Sequence, residues 1–132
     1  MPPEPDIAAE WLDIAQRELR FAQAPDSEAL WATRCFLAQQ DAEKSLKAVL
    51  LHLGADFPRT HNLAVLLSLL PSEVVPPSEV QEASLLTRYA VTTRYPRHYE
   101  TVTQEDFEKA LRLAEAVLGW AGAMLGGKSW RA

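Results

Sequence analysis

Residues 26–53 contain neither proline nor glycine, and their apolar side chains return at helical spacing. Trp31, Cys35, Ala38, Ala42, Leu46, Val49 and Leu53 fall on one stripe, which predicts a long helix over residues 28–53. Such a helix makes about seven turns and must lie along the core of whatever the chain builds. Pro25-Asp26-Ser27 supplies the break and the cap before it, and Gly54 stands where a helix stop is expected. The small side chains at 35, 38 and 42 let a neighbouring helix approach closely.

Four further helices follow from the same reasoning. The first opens after Pro5-Asp6, with Ile7, Trp11, Ile14, Ala15, Leu19 and Ala22 expected on its buried stripe. A short helix is predicted over 60–70 and ends at Pro71. Ser78-x-x-Gln81 reads as a capping box for the next, which must stop near Arg94 because Pro96 drives Tyr95 out of helical conformation. Thr103-x-x-Asp106 opens the last, with Val102 and Phe107 placed as a hydrophobic staple. Phe107, Ala110, Leu111, Ala114, Val117, Leu118, Ala121 and Leu125 then line one face as far as Gly126-Gly127. No alternating run long enough for a strand occurs. Short connections favour antiparallel neighbours, so the expected fold is all-α: an up-and-down four-helix bundle with an additional short helix. One domain over 1–132 is expected, with flexible ends at 1–5 and 127–132.

Composition narrows the function. The formal charge of −5 argues against a sequence-independent coat for duplex DNA. No apolar run approaches the about 18 residues of a membrane span, and residues 1–5 do not resemble a signal peptide. With Cys35 as the single cysteine, no internal disulfide can form, and a cytoplasmic protein is expected. Cys35 itself reads as a small core residue. His52, His61, His98 and Cys35 lack metal-ligand spacing, so neither metal nor cofactor is expected.

The charge is unevenly distributed. Before residue 29 seven acids face two arginines, whereas eleven acids balance eleven bases in the remainder. Three cation-bearing blocks stand out: Gln39-Gln40-Asp41-Ala42-Glu43-Lys44-Ser45-Leu46-Lys47, Pro58-Arg59-Thr60-His61-Asn62-Leu63 and Arg94-Tyr95-Pro96-Arg97-His98-Tyr99. Lys44 and Lys47 share a helix face, as a phosphate clamp or as a solvated face laced by the Glu43–Lys47 pair. Thr60-His61 begins a helix, where free amides suit an anion; alternatively Thr60 only caps it and His61 packs sideways. Arg94 and Arg97 match phosphate oxygens with planar forks, and His98 can exchange a proton near neutral pH. Together Arg94 and His98 would suffice for metal-independent RNA cleavage, histidine moving the proton and arginine stabilising charge on phosphorus. The structural alternative makes Arg94 a cap for the preceding helix and Tyr95-Pro96 a rigid turn.

In this order the blocks resemble the HEPN (higher eukaryotes and prokaryotes nucleotide-binding) domain family. The resemblance rests on Gln39-Gln40-x-x-Glu43-Lys44-x-Leu46-Lys47-Ala48, on Thr60-His61-Asn62-Leu63 with the leucines after it, and on Arg94-Tyr95-Pro96, with Ala114 and Trp120 in a closing helix. It implies the bundle already read from periodicity, a homodimer, and a partner that is a minimal nucleotidyltransferase, often within a toxin–antitoxin pair. It further implies nucleotide or phosphate binding by Lys44, Lys47, His61, Arg94 and Arg97, with Tyr95 free to stack on a base. The family's ribonuclease members would place catalysis on Arg94 and His98. Here that interval is shorter than theirs and contains Pro96, and the position of the tyrosine that one branch modifies is Glu100. A nucleotide- or phosphate-binding protein is therefore the expected function, with a ribonuclease toxin as the alternative.

Overall fold

The computed structural model describes residues 7–24, 30–92 and 101–126. The predicted break at 25–27, the block 94–99 and both chain ends lie outside them. Every regular element among the described residues is helical: α1 Ile7–Gln23, α2 Trp31–His52, α3 Leu63–Ser68, α4 Ser78–Glu82, a 3₁₀ segment Ala83–Thr87, α5 Arg88–Thr92 and α6 Gln104–Met124.

α2 is the central helix. It packs along both α1 and α6, while α3, the 3₁₀ segment and α5 lie against it further along the chain. Its predicted stripe is buried at Cys35, Ala38, Ala42, Leu46 and Val49, but burial extends well beyond that stripe. Ala32, Ala48 and Leu50 are also inside, and so are Gln39, Asp41, Glu43 and Ser45. A helix covered on several sides must bury polar residues, and among the described residues this one carries all the buried polar side chains except Gln16 of α1. Cys35 is fully buried, and that burial pushes its thiol up to about 12 despite a hydrogen bond from Tyr89.

The α1 stripe is rotated from expectation. Ala8, Leu12, Ala15, Leu19 and Ala22 face the core, whereas Ile7 and Ile14 are exposed. Alternating alanine with leucine lets α1 lie close to the small residues of α2, so closeness of approach outweighs side-chain size in choosing the face. α6 follows its predicted face more nearly, with Leu113 added and Leu111 and Leu125 only half-buried. Its start is as read: Thr103 accepts from the Asp106 amide and Asp106 accepts in return from the Thr103 amide. Gly54 and Gly126 take positive φ of 73° and 77° at the ends of α2 and α6, conformations in which a Cβ is strained.

Two local expectations fail. Ser78 caps nothing: Pro77 occupies the cap position, and Gln81 instead donates to the Pro76 carbonyl. The fourth helix is not one regular piece, because the α–3₁₀–α run from Ser78 to Thr92 tightens in its middle. Among the described residues, no helix is long and apolar enough to cross a membrane.

Candidate functional site

Glu43 is the junction that joins two of the three sequence blocks. Its side chain is 4% exposed, and all its carboxylate bonding is internal. Oε2 accepts from Lys47 Nζ at 2.9 Å, one helical turn along α2. Oε1 accepts from His61 Nδ1 at 2.8 Å and from Gln39 Nε2 at 3.1 Å. Gln39 Nε2 also reaches the His61 carbonyl at 3.3 Å, and Gln40 Nε2 donates to Gln39 Oε1 at 2.7 Å. Burial alone would raise the Glu43 pKa; hydrogen bonds from Lys47, His61 and Gln39 outweigh it and hold the carboxyl below its ordinary 4.5. An ionised carboxylate only accepts, so His61 Nδ1 carries the proton. The imidazole is fixed by one nitrogen, yet its side chain is 70% exposed, and no described residue takes Nε2.

The local sequence explains this arrangement. Gln39, Glu43 and Lys47 recur every fourth residue and so stack along one face of α2. The loop after Gly54 brings His61 back over that face. Lys47 Nζ also sits over the rings of Trp11 and Phe57, at 5.9 and 5.7 Å, and its side chain is 12% exposed.

The predicted site residues separate accordingly. Lys47 and His61 meet on Glu43. Lys47 makes the Glu43 pair read from the spacing while Lys44 is ion-paired with Glu18 of α1, so each lysine holds a different acid and both are largely buried rather than solvated. Arg94, Tyr95, Arg97 and His98 lie outside the described residues. The α3 start also differs from prediction. The helix begins at Leu63, and Asn62 rather than Thr60 caps it, accepting from the amides of Ala64 and Val65. Thr87 Oγ1 takes the Leu63 amide and Thr60 Oγ1 the Asn62 amide. With those donors engaged, the α3 terminus offers no open amide cradle, and His61 reaches solvent through its side chain alone.

Glu43 as a hub was missed by sequence reasoning, although its i, i+4 pairing with Lys47 was visible. Asp41 was missed as well. It is fully buried between α1 and α6, and neither carboxylate oxygen has a hydrogen-bond partner. Desolvation drives its pKa well above the ordinary 3.8, with Glu18 and Glu115 adding to the rise and Lys44 opposing it. Among the described residues, no group of three or more His, Cys, Asp and Glu side chains is placed to hold a metal ion. A recess of about 130 Å³ lies between α5 and α6, lined by Leu86, Arg88, Tyr89, Asp106, Lys109 and Leu113.

Comparison with known proteins agrees with this architecture. The chain is 33% identical to TT1696 from Thermus thermophilus, whose crystal structure superimposes with a TM-score of 0.81 over 91% of this chain and 99% of that one. It is 28% identical to ST0689, an archaeal HEPN homologue, with a TM-score of 0.71 over 89% and 97% of the two chains. No curated protein sequence matches it significantly. The HEPN domain family model matches residues 8–124, nearly the whole described structure, and the chain belongs to the HEPN domain family.

Proposed function

We propose that this HEPN protein binds a nucleotide or another phosphate-bearing anion, forms a homodimer, and acts beside a minimal nucleotidyltransferase, in a toxin–antitoxin pair or a similar arrangement. The observation that carries the reading is the His61–Glu43–Lys47 network. A buried carboxylate that holds an exposed imidazole by Nδ1 fixes the ring's orientation. The ring, already held in one orientation, then meets an anion at little entropic cost. Arg59 stands two residues away and is exposed.

In this reading His61, Arg94 and Arg97 contact the anion and Tyr95 stacks on a base. Lys47 positions Glu43 rather than touching ligand, because Glu43 and two rings already enclose it. Lys44 is committed to Glu18 and has a structural share. Isothermal titration with ATP, GTP and a short single-stranded RNA tests this. Binding is expected for at least one of them, weakened about tenfold or more by His61→Ala. Absence of heat with all three, with and without a nucleotidyltransferase added, refutes it. Metal-independent RNA cleavage abolished by His98→Ala would replace it with the ribonuclease reading.

A further inference from the structure

α6 carries Asp106, Lys109, Ala110 and Leu113 at helical spacing, which sets them on one face. Across a recess from that face lie Leu86 of the 3₁₀ segment and Tyr89 of α5. Leu86, Tyr89, Ala110 and Leu113 are buried, so this recess of about 130 Å³ has an apolar floor. The small Ala110 side chain leaves the space opposite the leucine and tyrosine unfilled. Leu85, 54% exposed, adds an apolar edge. An apolar cavity of roughly 150 Å³ admits benzene, so the space suits a body of one ring or a short branched chain. None of these residues belongs to the Glu43 network.

Two cations from different elements, Arg88 of α5 and Lys109 of α6, line the same recess, and both are exposed. Among the described residues neither is ion-paired with a carboxylate. The Arg88 guanidinium lies over the Tyr89 ring at 5.4 Å, a contact that restricts where its planar fork points. Asp106 shares the lining, and its Oδ2 accepts from the Thr103 amide. We propose that the recess is a binding site for a small monocarboxylate, with its apolar body on the floor and its carboxylate between Arg88 and Lys109. A neutral apolar molecule would forgo both cations. A polyphosphate needs a surplus of positive charge, which the region lacks: Glu105, Glu108 and Arg112 continue along the adjoining groove of α6, so Asp106 and the two glutamates offset Arg88, Lys109 and Arg112. A single negative charge on a compact apolar body satisfies both the floor and the paired cations.

This site stands apart from the anion contacts proposed around His61 and does not depend on them. The test is saturation-transfer NMR on the full chain with sodium benzoate and sodium 3-methylbutanoate, followed by titration. Both should bind. Benzyl alcohol, a body without the charge, and inorganic phosphate, a charge without the body, should each bind about tenfold more weakly or not at all. Arg88→Gln and Lys109→Gln should each weaken benzoate binding by about tenfold. Both positions are exposed, so thermal melts should show those variants folded. Ala110→Leu fills the recess and should abolish binding, whereas Arg17→Gln, at an exposed arginine on α1, should bind like wild type. Absence of binding by both carboxylates to wild type overturns the proposal. So does benzoate binding indifferent to Arg88→Gln and Lys109→Gln, and so does inorganic phosphate binding as tightly as benzoate.

Discussion

Asp41→Asn should make this protein more stable than wild type at neutral pH and progressively less so as the pH falls. Asp41 is buried without a hydrogen-bond partner for either oxygen, and its neighbours are Glu18 on α1, Glu115 on α6 and Lys44 on α2. Desolvation, reinforced by the two glutamates, raises its folded pKa above the unfolded value. Below the unfolded pKa both states hold the proton and no penalty exists. Above it the unfolded chain ionises while the folded chain does not, so wild-type stability falls as pH rises until the folded pKa is passed. Within that window the loss is about 1.4 kcal/mol per pH unit. For a domain of this size that is roughly 5 °C in melting temperature per unit. Asparagine has nearly the same shape and does not titrate, so the difference between variant and wild type isolates this one group. Circular-dichroism melts at half-unit steps upward from pH 4 would show the two curves diverging once the ordinary carboxylate value is passed. Parallel curves, or a variant uniformly less stable at every pH, would refute the argument and show Asp41 to be an ionised partner of Lys44.

Glu43→Gln removes the acceptor that holds Lys47 and His61 and leaves a mostly buried ammonium without its partner, so chemical denaturation should report a loss of about 3 kcal/mol at pH 7. Because the Glu43 pKa is depressed in the folded state, its contribution is present above the ordinary carboxylate range and lost as pH falls through the folded value; the wild-type advantage should therefore shrink on acidification below about pH 4.5. Leu46→Ala, at a fully buried position on α2, should cost about 2–5 kcal/mol in urea unfolding with an unchanged m-value. Thr103→Ala deletes one half of the α6 capping box and should lower stability by about 1 kcal/mol, measurable as faster hydrogen exchange of the Asp106 amide.

Helix identity and much of the fold were legible in the chain itself. Punctuation by Gly54, Pro71 and Thr103-x-x-Asp106 acts within a turn or two, and apolar spacing along α2 and α6 reports a local period. The family resemblance was legible for the same reason, since it lies in short blocks kept in order. The functional pairings were less so. Lys44 and Lys47 are three residues apart, yet one finds Glu18 on α1 and the other Glu43 on its own helix.

What the amino-acid order determined alone is where helices run and which side chains are available to them, because backbone hydrogen bonding and capping are short-range. The tertiary structure decided which face of each helix turns inward. On α1 the alanine–leucine stripe won over Ile7 and Ile14 because it fits closely against α2, leaving the larger residues outside. It also decided that Glu43 holds an imidazole eighteen residues away while Asp41, two places earlier, holds nothing. Those outcomes depend on packing distance and desolvation between elements, which have no counterpart in spacing along the chain.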